Sequence, residues 1–503
     1  MKTTKFKYIF IATAMISLGS SCSEEFVNLE PKGSFVTENY YENQEQATAA
    51  LMGVYDILGR NTGAFFNMIG MMNAGSDDHY AGGGGETDGE GIQYISRHAL
   101  TATTVPEGLW NWPYQGIFRA NTLLSKLEGV DMSDNLKARF TAESKALRAI
   151  YYFNLVRIFK NIPLTLDPLT ATNMYDLEQA TPEAVYAQIE KDLIEAAADL
   201  PASVDATTES GRLTKCAAQA MLGKVYLYEG KKTEAAAILA QVNGTPGSAN
   251  QYGNKLLANF NDLWVVSNKF NTESILESSH TSAGNTEFAT WMTGNDEGNT
   301  LNVMVGPRSY SRPVGSTAPD LASGWSFNVI TQDLYDAMKL DPRFGATILD
   351  IKALKAAGQA DYIAGYQDTG YFLNKFLPRK SDIRTGGGAA EINYKQDSYI
   401  IRLADTYLME AEALGSGARA QALIDAVRAR VGLPSVPVTL AAIKNERRME
   451  LAGEGHRFFD LVRWGDAASK LANRGFDAGK DEIFPLPTRE LQGTKLKQNP
   501  GYN

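Results

Sequence analysis

Leu222-Gly223-x-x-Tyr226-x-x-x-Gly230-x-x-x-x-Ala235, inside the run 213–242, is the stretch on which the architecture turns. Apolar residues return every three or four positions, the period of a helix with one buried face. A glycine falls on that face at 223, where only a small residue lets a second helix approach closely, and Gly230 interrupts the run. The string therefore reads as two paired helices. The same period recurs outward, near 42–59, 107–128, 134–159, 182–199, 213–229 and 232–242, and no comparable series of alternating strands accompanies it. Thr181-Pro182-Glu183-Ala184 marks one helix start, with Thr181 as N-cap and proline in the first turn.

The spacing of 222–235 is that of a tetratricopeptide-type helical hairpin. Arg402–Leu414 followed by Ala418–Val431 makes a second, more divergent hairpin with the same alanine-rich seam. Between them, 243–330 is rich in Gly, Asn, Ser and Thr, and 73–106 carries Gly82-Gly83-Gly84-Gly85. Long irregular segments within a compact body usually carry function. The expectation is a mostly α chain, a scaffold of TPR-like helical hairpins with long irregular loop excursions.

Composition narrows the function. The 503 residues have 44% hydrophobic and 21% charged content, an ordinary globular balance, and a formal charge of −10 from 48 basic and 58 acidic residues. That leaves no basic surface of the kind nucleic-acid binding needs. Cys22 and Cys216 exclude a disulfide framework, and His79, His98, His280 and His456 show no metal-protease or other catalytic spacing. Cys216 lies in an Ala-rich helical run and reads as a small core residue.

The first residues read as an address. Lys2, Lys5 and Lys7 precede the short apolar run Tyr8–Leu18, which makes 1–21 a secretory signal peptide. Gly19-Ser20-Ser21 leads into Cys22, a sequence that resembles a bacterial lipobox, although Leu18 stands four residues ahead of the cysteine and not three. Lipidation at Cys22 would anchor the chain to a membrane. Residues 22–34 then form a lipidated tether of up to roughly 40 Å when extended, ahead of a body over 35–503. Ser23-Glu24-Glu25 resembles the acidic export signal of surface lipoproteins in Bacteroidetes-type bacteria.

Asn445-Glu-Arg-Arg-Met-Glu-Leu-Ala-Gly-Glu-Gly-His-Arg-Phe-Phe-Asp-Leu-Val-Arg-Trp464-Gly465 closely resembles the signature of the SusD/RagB family of surface nutrient-binding lipoproteins. Trp110-x-x-x-Tyr114-x-x-Ile117-x-x-x-Asn121, Asp341-Pro-Arg343, Arg402 with Ala411-Glu412-Ala413, Phe484-Pro-Leu-Pro and Asn499-Pro-Gly-Tyr502 support it. The resemblance covers essentially the whole chain after Cys22. It implies a SusD-like fold on the outer-membrane surface, facing outward, beside a SusC-like TonB-dependent transporter. It also implies a cargo, usually an oligosaccharide and in some members a peptide, held on loops bearing aromatic rings. The body divides into a helical part with TPR-like repeats (35–242), a loop-rich ligand region (243–330) and a C-terminal helical part with the family signature (331–503).

Sugars present apolar C–H faces ringed by hydroxyls, so their sites need aromatic platforms edged by amide, carboxylate or guanidinium groups. Tyr80 and Tyr94 with Asp77, Asp78 and His79 in the first loop, and Trp291, Arg308, Tyr310 and Trp325 in the second, meet that requirement and form the candidate set. Glu450, Glu454, His456 and Asp460 read instead as structural, with Phe458, Leu461 and Trp464 as a packing stripe, charges paired at three- and four-residue spacing, and a helix break at Gly453 and Gly455. Asp77, Asp78, Glu86, Asp88 and Glu90 make the first loop acidic, but the EF-hand spacing is absent. No cofactor is expected, with a structural calcium ion as the minor alternative. Arg308, Arg312 and Lys269 are candidates for a local basic patch. A glycosidase using two carboxylates and a protein-only TPR scaffold are the competing classes.

Overall fold

The computed structural model describes residues 40–292, 297–384 and 387–502. The segments read from sequence as signal peptide, lipidated Cys22 and tether lie outside them. The longer helices are α1 (Gln44–Tyr55), α2 (Gly108–Lys126), α3 (Asp134–Phe159), α4 (Pro182–Asp199), α5 (Lys215–Tyr228), α6 (Lys232–Asn243), α7 (Leu403–Leu414), α8 (Ala418–Arg430), α9 (Leu440–Glu450) and α10 (Arg457–Trp464). No helix among the described residues is long and apolar enough to cross a membrane.

Each helix from α1 to α6 packs on its neighbour in sequence, and the stack continues from α6 to α7 and then to α8 and α9. This is the mostly α, TPR-like scaffold of the hairpin reading. The N-caps follow the sequence: Thr181 accepts from the Ala184 amide (3.3 Å) and Thr214 from the Ala217 amide (3.3 Å). Gly223 is needed for the helix pair, because a Cβ there would stand 2.5 Å from Leu239 across the α5–α6 contact. Cys216 is 2% exposed and burial pushes its thiol up to about 12, as befits a core residue.

Everything from 244 to 402 is one excursion between α6 and α7. Among the described residues it holds three short antiparallel pairings, β3 (Ser274–Ser278) with β8 (Ser398–Arg402), β4 (Arg308–Ser311) with β6 (Asp361–Ile363), and β5 (Ile348–Asp350) with β7 (Tyr371–Leu373), while the pair of β1 (Ile162–Pro163) with β2 (Gln179–Ala180) lies outside it, between α3 and α4. The excursion therefore runs past 330, the boundary its composition marks. Leu334, Met338, Ile348, Ile351 and Phe372 lie on short helices and strands whose few apolar residues build a second core, and segments so short show no period in sequence.

The signature closes this excursion onto the scaffold. α9 ends at Glu450 and α10 begins at Arg457, with Gly453 (φ +78°) and Gly455 (φ +79°) between them, so the expected break is present. Its charges, however, pair across the fold more than along the helix. Arg402 at the end of β8 holds Glu273 (2.8 Å), Glu450 (2.7 Å) and Glu454 (2.8 Å). Arg343 reaches Glu446 (2.6 Å) and Glu450 (2.9 Å), Arg430 holds Glu273 (2.8 Å), and Lys375 holds Glu454 (2.8 Å). Arg447 bridges Asp405 (2.7 Å) and Asp460 (3.0 Å). Asp460 with Arg463 (2.8 Å) is the pair at three-residue spacing. Every one of these side chains is buried or nearly so, and each carboxylate has a cation, as buried charge requires.

Candidate functional site

Half-buried aromatic rings gather where the first glycine-rich loop meets the excursion. Trp291 lies 5.6 Å from Trp325, edge to face, and 6.2 Å from Phe65, while Phe65 also sits 6.3 Å from Trp325. Phe288, half exposed at 50%, extends the row at 6.0 Å from Trp291. Edge-to-face contacts at these separations fix ring orientation. Behind the rings stand buried Val303, Ile392 and Tyr394, so the patch rests on its own small core.

Backbone geometry sets the patch. The Trp325 amide donates to the Val303 carbonyl (2.8 Å), and Gly324 lies against Gly306 so closely that a Cβ would come within 2.4 Å of its Cα. The loop over 82–89 approaches Phe65 and the buried Phe327 that meets it edge to face at 5.1 Å: a Cβ on Gly83 would meet Phe327 at 2.5 Å, and one on Gly89 would meet Phe65 at 2.5 Å. Gln93 holds that loop by donating to the carbonyls of Gly82 (2.7 Å) and Asp88 (3.1 Å). Arg308 donates to the Trp325 carbonyl (3.0 Å) and lies 3.7 Å from Asp88, with about a third of its side chain exposed at 36%. A guanidinium and a carboxylate thus stand at the edge of a four-ring surface.

Of the residues expected from sequence, the fold brings Trp291, Trp325 and Arg308 together. The others sit elsewhere. Tyr310 is 9% exposed and its hydroxyl donates to the Pro319 carbonyl (2.7 Å), so its ring packs under its own loop. Tyr80 lies beneath the Arg474 guanidinium (4.5 Å), and Tyr94 beneath Arg97 (5.2 Å). Asp77 takes a two-bonded Arg457 (2.8 Å for both bonds), and Asp78 takes Arg448 (2.8 Å from its Nε), so these carboxylates fasten the first loop to the signature. Although burial opposes it, Arg457 keeps the Asp77 carboxyl below its usual range. His79 is buried with Nδ1 on the Asn328 carbonyl (2.9 Å), and burial lowers its pKa. These three are structural ties in the fold and do not reach the aromatic surface. Phe65 and Phe288 were missing from the sequence reading; the Phe65-Phe66 pair beside Gly63 was the available signal, large rings in a turn with no helix to bury them.

Asp77, Asp78 and Asp333 converge within 4.8 Å, the one such carboxylate group among the described residues. Arg448 also bonds Asp333, so all three acids already face guanidinium groups. A cation there would compete with two arginines, and the donor set fits calcium poorly.

The expected basic patch is dispersed. Arg312 pairs with Asp320 (3.2 Å) and Lys269 with Asp397 (2.6 Å), while Arg308 faces Asp88. Burial, followed by the nearby Asp397 charge, pushes the Glu277 carboxyl up to about 8. Glu277 and Asp397 are 4% and 9% exposed, and Asp397 accepts from Lys269 and from the His280 amide (2.8 Å). That pair lies away from the aromatic surface. In the signature, burial and the Lys224 charge bring His456 down to about 3, which leaves it neutral within the ion-pair network.

Residues 272–502 match the model described as the SusD family, and residues 87–227 match one described as starch-binding associating with outer membrane. A solved laminarin binding SusD-like protein is 58% identical, with a TM-score of 0.90, over 92% of this chain and 100% of that one. The surface glycan-binding protein A from Bacteroides thetaiotaomicron, solved in complex with laminarihexaose, is 25% identical with a TM-score of 0.81, over 91% and 99%. A SusD-like protein of Formosa agariphila is 25% identical over 97% of each chain.

Proposed function

Because the chain belongs to the SusD family, we propose that it is a non-catalytic receptor that captures an oligosaccharide on the Phe65–Phe288–Trp291–Trp325 surface. The observation that carries this reading is the cluster itself: four rings held edge to face, with Phe288 open to solvent and Arg308 and Asp88 at the margin. Flat apolar faces accept the C–H side of a sugar, and the flanking charges accept and donate to its hydroxyls. A β-1,3-glucan of the laminarin type is the proposed cargo, supported by the laminarin-binding and laminarihexaose-bound relatives.

The cargo passes to a SusC-like TonB-dependent transporter in the outer membrane, and the chain is tethered there through a lipid on Cys22, on the outer face. No observation on the structure favours a peptide cargo, a glycosidase or a protein-only scaffold over this reading.

Affinity electrophoresis and calorimetry of the soluble body, beginning after Cys22, against neutral polysaccharides, host glycans and peptides test it. Laminarin should retard the protein, with a dissociation constant of about micromolar to millimolar, as a component that must release its cargo requires. Retardation by none of the glycans, or turnover of one by pure protein, overturns the proposal.

A further inference from the structure

We propose that a cleft distinct from the aromatic surface, walled by Arg379 and Lys395, is a second binding site that takes an anionic oxygen group, carboxylate or sulfate, carried on a saccharide. The cleft has a volume of about 770 Å³ and lies between the segment Asn261–Lys269, Gly345 and Ala346 of the one-turn helix Phe344–Thr347, the stretch from Asn374 to Asp382, and Lys395. That is the size range of small-ligand sites. None of its lining residues belongs to the four-ring surface.

Charge is the first argument. The whole chain carries −10, yet the cleft walls hold Lys269, Arg379 and Lys395 against Asp382 alone. Lys269 is neutralised by Asp397 at 2.6 Å. Arg379 and Lys395 make no ion pair among the described residues.

The arginine is the second. Elsewhere this fold meets buried guanidinium groups with carboxylates, as at Arg343, Arg402, Arg430 and Arg447. Arg157 and Arg474 lack a carboxylate but lie over rings, at 4.0 Å from Phe459 and 4.5 Å from Tyr80. Arg379 has neither arrangement among the described residues. Its Nη2 donates to the Asn374 carbonyl (3.2 Å) and to Asn374 Oδ1 (3.0 Å), which fixes the plane of the fork with neutral acceptors. Burial lowers its pKa, and the Asp382 charge, too far away for an ion pair, offsets this only in part. An oxyanion supplies that compensation, and the planar fork matches carboxylate or sulfate. Val265, 47% exposed, adds an apolar wall and Asn261 and Ser381 add hydroxyl partners, which suits a sugar carrying the anion.

The saccharide rests on the receptor reading above; the oxyanion does not. The soluble body is titrated calorimetrically with laminarihexaose, an oligouronate and a sulfated oligosaccharide of similar length, at about 20 mM and about 200 mM salt, where screening separates ionic from neutral binding. Inorganic sulfate is titrated in parallel with thermal melting as readout. Lys395→Gln is the main variant, because Arg379 also bonds Asn374 within the fold, and Arg379→Gln the second, with circular dichroism confirming the fold of both. At least one acidic oligomer should bind more tightly at low salt and weaken about tenfold or more in Lys395→Gln, with laminarihexaose unaffected; the two acidic probes distinguish carboxylate from sulfate. Sulfate should raise the melting temperature of the wild type and not of the variant. If laminarihexaose fails while an acidic oligomer binds through Lys395, the receptor reading of the aromatic surface falls and the cleft stands. Acidic oligomers that bind no better than the neutral one, or equally well in both variants, overturn the cleft.

Discussion

Replacing Trp291 and Trp325 together by alanine abolishes measurable binding of the proposed glucan, while either single replacement weakens it by about tenfold or more, on the scale of a buried aromatic contact at a binding hot spot. The rings are mutually supporting, since Trp291 orients Trp325 at 5.6 Å and both meet Phe65, at 6.2 Å and 6.3 Å. Losing one therefore leaves the other poorly held, and the two effects will not add. Both tryptophans are half buried, so thermal melting must show that the variants fold. Phe288→Ala guards against a folding artefact, because that ring is 50% exposed. It should weaken binding with little change in melting temperature. Tyr310→Ala, by contrast, removes a ring tied to Pro319 under its own loop and should cost stability, not affinity. Undiminished glucan binding by the double tryptophan variant would remove the platform from the account.

Arg402→Met produces the largest loss of stability, about 3–5 kcal/mol for a buried pair deprived of one partner. The guanidinium sits between Glu273, Glu450 and Glu454 at 2.8, 2.7 and 2.8 Å, and it joins β8 to the signature. Its removal leaves three carboxylates crowded together, with only Arg343, Arg430 and Lys375 remaining beside them. Chemical denaturation followed by circular dichroism measures the effect. The pH dependence has a fixed sign. Against the cost of burial, the arginines around Glu450 and the Arg402 charge beside Glu454 hold both carboxyls below their usual value of 4.5. Their stabilisation is therefore full above about pH 4.5 and is lost as the pH falls through their lowered folded values. In the variant that acid-side loss should begin at higher pH. A stability within about 1 kcal/mol of wild type would show that the network is dispensable.

The scaffold was legible because its signals are local. Helical period, the Thr181-Pro182 start and the small residue at Gly223 each specify a helix or a helix pair without reference to the rest of the chain. Gly453 and Gly455 marked the break in the signature for the same reason. The candidate site was legible only in part. Aromatic residues in irregular loops pointed to Trp291, Trp325 and Arg308, but the same argument applied equally to Tyr310 and Tyr80. Only the fold shows that one hydroxyl is tied to Pro319 and the other ring lies under Arg474. Asp77 and Asp78 had the right chemistry for sugar hydroxyls, and their true partners, Arg457 and Arg448, lie some 370 residues or more away in sequence. The signature charges failed for the same reason: spacing along α9 and α10 carries no record of Arg343, Arg402 or Lys375. Long-range pairing is a property of the assembled excursion, which local sequence does not encode.

A crystal structure of the soluble body soaked or grown with laminarihexaose puts the central claim to the most direct test. The account predicts a glucose ring lying flat on Trp291 or Trp325 at about 4 Å, ordinary contact distance, with Arg308 or Asp88 bonded to its hydroxyls. Sugar density on the first loop around Tyr80, or anywhere that leaves the four rings bare, would contradict it.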